Sequence, residues 1–513
     1  MADGLATLRA TLRTGRFGAA FVFLATDFFA AGLLVFFDFF RAAMGPPVEV
    51  AVSTGSIVLE GRPHTLDPPR STRGAMMRTM SPHARTRRFV LATFGSLGDL
   101  HPYIAVGRAL QDRGHQAVIA TSSDYAGAVQ AAGLAFAAVR PGLQQLGDQA
   151  RVAGRLFHPL WGPQRLIREV VMPHLRDAHA DMTAAARGAD LLVSHPLTFT
   201  VPLVARQQQL PWVSTVLAPL SFLSRSDPPQ LAGVNVLRAA HRLGPAASQV
   251  VHQLARTVTR GWEAPLHAYR RELGFAATRE VLMMEGQFSP HGTLALFDAA
   301  LATPQADWPL QTQVCGMPLF DGAPASPELL ADLQQFLGAG DPPLVFALGS
   351  SAVWIAGRYW QHAIDAAQAL GRRAILLTGS TALGALPDGV RAYAYLPYSA
   401  VFPHAAAVIH QAGIGTLSQA LRAGRPQLIT PVAFDQPDNA ARAAALGVAR
   451  VLPFRKVSAR RMQHALAAVL ENPQHATAAC TVAAHCRAVD GAGVAADALI
   501  RALSPARFPP ASG

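Results

Sequence analysis

The chain has 513 residues, half of them apolar, and carries 44 Lys or Arg against 32 Asp or Glu, a net charge of +12. That length supports two or three domains with sizeable cores, and the apolar content excludes a disordered chain. Three cysteines are too few for a disulfide framework, and the arginines are scattered with no aromatic-interleaved basic stripe, so neither a stapled secreted scaffold nor a nucleic-acid binder is expected.

Nearly all of the positive charge is Arg, Lys456 being the one lysine, which reads as compositional bias. It remains compatible with weak attraction to an anionic membrane surface. Cys480 and Cys486, flanking His485, have no usual zinc spacing and are expected to be buried structural thiols. Cysteine usage points to a reducing compartment, hence the cytoplasm, with association at the inner face of the membrane as an option.

Residues 1–86 do not match the rest. Phe17 to Phe40 is Phe-rich and long enough to span a bilayer, with Arg9, Arg13 and Arg16 before it and Arg41 after it. Asp27 and Asp38 argue against a span, and no small-residue cleavage site follows. Residues 45–86 are Pro-, Arg- and Thr-rich and read as linker. The favoured reading is an extension outside the fold, with Met76, Met77 or Met80 as alternative starts; a membrane-associating segment is the other.

Alternation of apolar runs with helical patterns gives an α/β fold. Over 87–321 it opens with the short buried strand Arg88–Thr93. The turn Phe94-Gly-Ser-Leu-Gly-Asp-Leu-His-Pro102 follows, then a helix expected from about Tyr103 to Arg113, capped by Gly114, and a strand over Gln116–Thr121. Ligands of open parallel sheets bind at the carboxyl ends of the strands, where this turn lies. Asp99 and His101 are therefore candidate proton acceptors, although an Asp there also serves as a helix cap. Further strands are expected at Asp190–Ser194 and Trp212–Val216. Residues 140–185 and 220–285 are helical and loop-rich; ordinary helix packing is the plainer expectation for them, an apolar acceptor pocket the alternative.

Residues 322–341 read as a linker with a short helix, and 342–503 as a second βα series, followed by a tail over 504–513. Leu344–Ser350 is its first strand, ending where the hydroxyl and N–H of Ser350 can reach a phosphate. Arg373–Thr378 is the next. Tyr395, before Pro397, suits stacking on a nucleobase or, equally, core packing. The strand Ala407–His410 then runs into Gln411-Ala-Gly-Ile-Gly-Thr416 and a helix to Arg422. Such a turn directs backbone N–H groups and a helix N-terminus at one point, which suits a phosphate. After a further buried strand, Phe434-Asp-Gln-Pro-Asp-Asn439 sets Asp435 beside Gln436. A carboxylate next to an amide suits paired sugar hydroxyls. Together the two segments suggest a nucleotide sugar. Helices are expected over Asp438–Leu446, Ser458–Leu470 and Ala488–Leu503, and a strand over Ala449–Leu452.

Over roughly residues 88–503 the chain resembles inverting family-one glycosyltransferases of the GT-B fold, two Rossmann-like domains facing across a cleft. The matching pieces are Gly95-Ser-Leu-Gly-Asp-Leu-His-Pro102, Leu348-Gly-Ser350, His410-x-x-Gly-x-Gly-Thr416 and Phe434-Asp-Gln-Pro-Asp-Asn439, in that order. Within the family it looks most like the bacterial sterol, macrolide and glycopeptide glucosyltransferases and rhamnolipid-type rhamnosyltransferases. The resemblance implies that Asp99 activates the acceptor, with His101 next in line. It implies that Tyr395 stacks on the base and that Ser350, His410, Gly413, Gly415 and Thr416 hold the diphosphate. Gln419 falls where a ribose-binding Glu is usual, and Asp435 and Gln436 would hold the donor sugar. The usual His-His-Gly-Gly start is His410-Gln-Ala-Gly413 here. No metal or other cofactor is expected, the partners being a nucleoside-diphosphate sugar such as UDP-glucose or dTDP-rhamnose and an acceptor hydroxyl. The hydrophobic first domain favours an apolar small-molecule or lipid acceptor. A non-catalytic nucleotide-sugar binder and a nucleotide-sugar epimerase or hydrolase are the rival readings. A nicotinamide oxidoreductase is disfavoured because Gly95-x-x-Gly98 lacks the full dinucleotide pattern.

Overall fold

A computed structural model describes residues 85–232 and 236–503. The readings made on residues 1–84 and on the tail from 504 lie outside them. Among the described residues no helix is long and apolar enough to cross a membrane.

Two wholly parallel sheets form two Rossmann-like domains. The first runs in the order β3-β2-β1-β4-β5-β6-β7. Its strands are β1 (Arg88–Ala92), β2 (Gln116–Thr121), β3 (Ala135–Ala138), β4 (Leu191–Ser194), β5 (Trp212–Val216), β6 (Thr293–Ala295) and β7 (Thr312–Val314). The second runs β10-β9-β8-β11-β12-β13. These are β8 (Leu344–Ala347), β9 (Ala374–Leu377), β10 (Val390–Tyr393), β11 (Ala407–His410), β12 (Gln427–Ile429) and β13 (Ala449–Val451). Central strands such as β4, β8 and β11 are buried at every residue, as parallel strands covered on both faces must be. In both sheets the order reverses beside the first strand, β1 or β8, and a cleft opens at the carboxyl ends there.

Helix α1 (Leu97–Gln111) starts six residues earlier than its sequence suggests. Ser96 and Asp99 form a capping box that fixes the start, and Pro102 lies inside the helix instead of bounding it. The second phosphate-type turn leads into α2 (Ile414–Ala423), closed by Gly424 at φ 73°. Helix α3 (Gln436–Ala445) follows the Phe434–Asp435 turn. The terminal helix expected over Ala488–Leu503 is α4 (Gly491–Ala502), capped by Asp490; the helix before it, Pro473–Ala488, was not expected, and Val489 and Asp490 separate the two. That last helix packs on α1 of the first domain, with Arg113 paired to Asp497 at 2.7 Å. Strands β3, β6, β7 and β10 were not separable in the sequence: three or four residues carry no readable period.

A second tie joins the domains. Arg442 on α3 bonds Asp438 at 2.8 Å and reaches Asp227 at 2.6 Å and the Leu301 carbonyl at 3.1 Å in the first domain. Asp438 is fully buried and also accepts from the Gln230 N–H at 2.8 Å. Part of the Phe434–Asn439 motif thus holds the cleft walls in register and does not face the cleft.

Candidate active site

The cleft has a volume of about 660 Å³ and is lined from both domains. From the first come Gly95 to Asp99, His101 and an apolar wall that includes Phe94, Leu156, Phe157, Leu166 and Leu197. From the second come Ser350, Tyr395, Gln411, Gly413, Gly415, Thr416, Gln419, Asp435 and Gln436. Part of the 140–185 stretch therefore lines a pocket, as the alternative reading had it, whereas none of the described residues of 220–285 lines this cleft.

Asp99 sits in the first turn of α1. Its Oδ2 accepts from the Ser96 N–H at 2.7 Å and from the Ser96 hydroxyl at 3.1 Å. The capping role is real, and it uses only one carboxylate oxygen. Oδ1 stands 3.5 Å from Nε2 of His195, a residue the sequence reading passed over. Nδ1 of His195 accepts from the Leu197 N–H at 3.1 Å, so the neutral ring carries its proton on Nε2, facing Asp99. The signal that could have found it was slight: His195 directly follows β4, at the same sheet edge as Asp99. A Cβ at Gly95, whose φ is 138°, would lie 2.3 Å from Asp99 Oδ2, so that glycine makes room for the carboxylate.

His101 also lines the cleft, but it faces the other way. Its ring packs edge-on against Phe320 at 5.3 Å, and burial drives its pKa down to about 4 against the opposing pull of Asp321. It stays neutral beside the segment that joins the domains.

The cradle on the second domain differs from its expected form in one residue. His410 is fully buried and its two ring nitrogens are both engaged. Nε2 meets Gln427 Oε1 at 2.9 Å, and Nδ1 accepts the Ala412 N–H at 3.1 Å. Burial holds its pKa near 4. The ring braces the turn from behind, and the diphosphate role expected of it has no free group to act through. The next residue, Gln411, reaches the cleft instead. It is 4 % exposed and its Oε1 has no hydrogen-bond partner. A Cβ at Gly349 (φ 67°) would lie 2.3 Å from Gln411 Nε2, so the Ser350 turn closes directly on this amide.

Gly413 is the N-cap of α2 and offers no side chain to the helix. Ile414 N–H is taken by Asp435. The N–H groups of Gly413, Gly415 and Thr416 find no acceptor among the described residues. Such groups favour an anion. A Cβ on Gly415 would stand 3.2 Å from the Gly98 Cα, so the two glycine turns meet across the cleft and place Asp99 beside the cradle.

Asn439 ties the two motifs of this domain together, donating to the Ala412 carbonyl at 3.0 Å and to Asp435 Oδ2 at 2.7 Å. Burial, then the facing charge of Asp99, pushes Asp435 up to about 7. Gln436 turns its Oε1 to the N–H groups of Val432 and Ala433, at 2.9 and 3.3 Å. Only its amide nitrogen is left to donate to a ligand. Tyr395 is 40 % exposed at the cleft wall, and its hydroxyl donates to the Asp321 carbonyl. Gln419 donates from Nε2 to Asp321 Oδ1 at 2.9 Å.

Cys480 is exposed, contrary to expectation, because it sits on the outer side of a surface helix; Cys486 is buried. His485 lies 3.4 Å from Asp298, and among the described residues no group of three His, Cys, Asp or Glu is placed to hold a metal.

Two family models match: the glycosyltransferase family 28 N-terminal domain over residues 89–200, and the erythromycin biosynthesis protein CIII-like C-terminal domain over residues 364–493. The O-mycaminosyltylonolide 6-deoxyallosyltransferase of Streptomyces fradiae is 29% identical over 404 residues, 76% of this chain and 92% of that protein. The vancomycin aglycone glucosyltransferase of Amycolatopsis orientalis is 30% identical over 422 residues, 81% of this chain and 98% of the relative. Among solved structures, the glycosyltransferase VinC in complex with dTDP superposes with a TM-score of 0.57 at 21% identity, covering 81% of this chain and 99% of that one.

Proposed function

The chain belongs to the family-one GT-B glycosyltransferases, and on that premise we propose that it moves a hexose from a nucleoside-diphosphate sugar to a hydroxyl of an apolar acceptor, with inversion and without a metal. The observation that carries this reading is the meeting of Gly98 with Gly415, which sets a carboxylate whose second oxygen is free of the cap beside a helix N-terminus whose N-cap residue supplies no side chain. Asp99 Oδ1 takes the acceptor proton as the hydroxyl oxygen bonds to the anomeric carbon. The bond from that carbon to the diphosphate breaks, and its electron pair leaves with the diphosphate. The N–H groups of Gly413, Gly415 and Thr416, with Ser350 and Gln411, stabilise the leaving charge, a contribution of several kcal/mol in preorganised sites.

His195 keeps Asp99 aimed, Asp435 accepts from donor-sugar hydroxyls, and the Gln436 amide donates to one. The apolar wall favours a hydrophobic small molecule or lipid over a sugar chain as acceptor. Two observations bear on the donor: relatives are named for glucosyl and 6-deoxyallosyl transfer, and a structural neighbour holds dTDP. The deciding experiment is a thermal-shift panel of UDP-glucose, UDP-GlcNAc and dTDP-rhamnose, followed by product analysis with a hydrophobic acceptor. A binding donor raises the melting temperature by mass action. No shift with any of the three would overturn the donor reading; a shift without glycosylated product from any of a set of apolar acceptors would favour a non-catalytic binder.

A further inference from the structure

The nucleoside end of the cleft has a carboxylate that comes from neither glycine motif. Asp321 lies in the segment after β7, beyond the last strand of the first sheet, yet its hydrogen bonds run to the second domain. Its Oδ1 accepts from Gln419 Nε2 at 2.9 Å and from the Ser399 N–H at 3.4 Å. Its carbonyl accepts from the Tyr395 hydroxyl. Oδ2 has no hydrogen bond among the described residues, and the residue lines the cleft along with Tyr395 and Gln419. Gln419, on α2, presents a neutral amide whose nitrogen donates to Asp321.

We propose that Asp321 is the pentose-reading carboxylate of this protein: its Oδ2 accepts from the 3′ hydroxyl of the donor nucleotide, and from the 2′ hydroxyl as well where that nucleotide is UDP, with Gln419 as the residue that positions it. A hydroxyl held by an ionised acceptor is bound more tightly than one held by a neutral amide. Because Asp321 is carried by the segment joining the domains, nucleoside recognition is complete only while that segment lies against α2. The geometry of Gly322 supports the close fit: its φ is 76°, and a Cβ there would crowd the Tyr395 hydroxyl and the His101 ring.

This inference rests on the proposal that a nucleotide sugar binds in the cleft. The test is titration calorimetry on the full chain with whichever of UDP or dTDP binds more tightly, with its 2′,3′-dideoxy counterpart, and with inorganic pyrophosphate. The wild type is expected to bind the parent nucleotide about ten- to a hundredfold more tightly than the dideoxy form. In Asp321→Asn that ratio should fall towards one while pyrophosphate affinity stays unchanged, and Asp321→Glu should keep part of it. A wild type that does not distinguish the two nucleotides overturns the assignment whether or not the variants fold, and so does an undiminished ratio in Asp321→Asn. If the wild type binds neither UDP nor dTDP, the donor reading itself falls, a result distinguishable from loss of discrimination alone.

Discussion

The turn after β1 and the turn after β11 are built from the same parts: a buried strand, two glycines and a helix N-terminus at the cleft. They differ in what satisfies the first N–H groups of the helix. In α1 the protein does it, through the Ser96 hydroxyl and the Asp99 carboxylate. In α2 the N-cap is Gly413, and three N–H groups remain for a ligand. Filling the helix end with a carboxylate of its own yields a site that can accept a proton; leaving three N–H groups open yields one that can hold an anion. One backbone unit thus serves two halves of a reaction, and the choice rests on one or two side chains.

The comparison can be broken from either side. The largest effect is expected from Asp99→Asn, which keeps the cap to Ser96 and removes the base: turnover should fall about 10²- to 10⁴-fold with donor affinity unchanged. Near-normal turnover in steady-state assays would show that the first turn is only a cap. Gly413→Asp makes the second turn resemble the first. Its φ of −56° admits a side chain, and only the Gln411 amide lies close, at 2.9 Å from the new Cβ. The carboxylate should cap α2 and repel the diphosphate, weakening UDP or dTDP binding at least about tenfold while the melting temperature holds or rises. Undiminished affinity would mean that the cradle lies elsewhere.

His195→Ala sharpens the first side. Loss of the ring behind Asp99 Oδ1 should lower kcat about tenfold, as small misplacements do, with the donor Kd unchanged. An equal loss in donor affinity would point to a general collapse of the cleft edge. The smallest effect concerns the second turn alone. Ala412 holds φ 66°, a conformation costly for any residue with a Cβ, where the usual motif has glycine. Ala412→Gly should stabilise the protein by about 1 kcal/mol after glycine's own entropy cost, a rise of about 2 °C in a melting scan. A lower melting temperature would show that the methyl packing outweighs the strain.

Much of this was legible beforehand because it is local. The buried strands, the glycine turns and the Asp435–Gln436 pair announce themselves within ten residues. Tyr395, Ser350, Gln419 and Asp435 all reach the cleft that the motifs implied. What failed were statements about which way a side chain faces once its neighbours are fixed. His410 carries the motif's own histidine, but Gln427, seventeen residues later on the adjacent strand, claims its ring. Gln436 spends its oxygen on its own loop, and Asp438 spends its charge on the domain contact with Arg442. Asn439 looked incidental and turned out to bind the two motifs to each other.

The sequence by itself determined the two βα series, the kind of turn at each cleft edge and the family to which they belong, because period, glycine placement and capping residues act over a few positions. Only the tertiary structure decided that His195 stands behind Asp99, that Asp321 reaches Gln419 from about one hundred residues away, and that Gly98 meets Gly415. Those pairings depend on how two separately wound sheets are set against each other. No local pattern encodes that arrangement; it emerges from the packing of α4 on α1 and from the buried charges that tie α3 to the first domain.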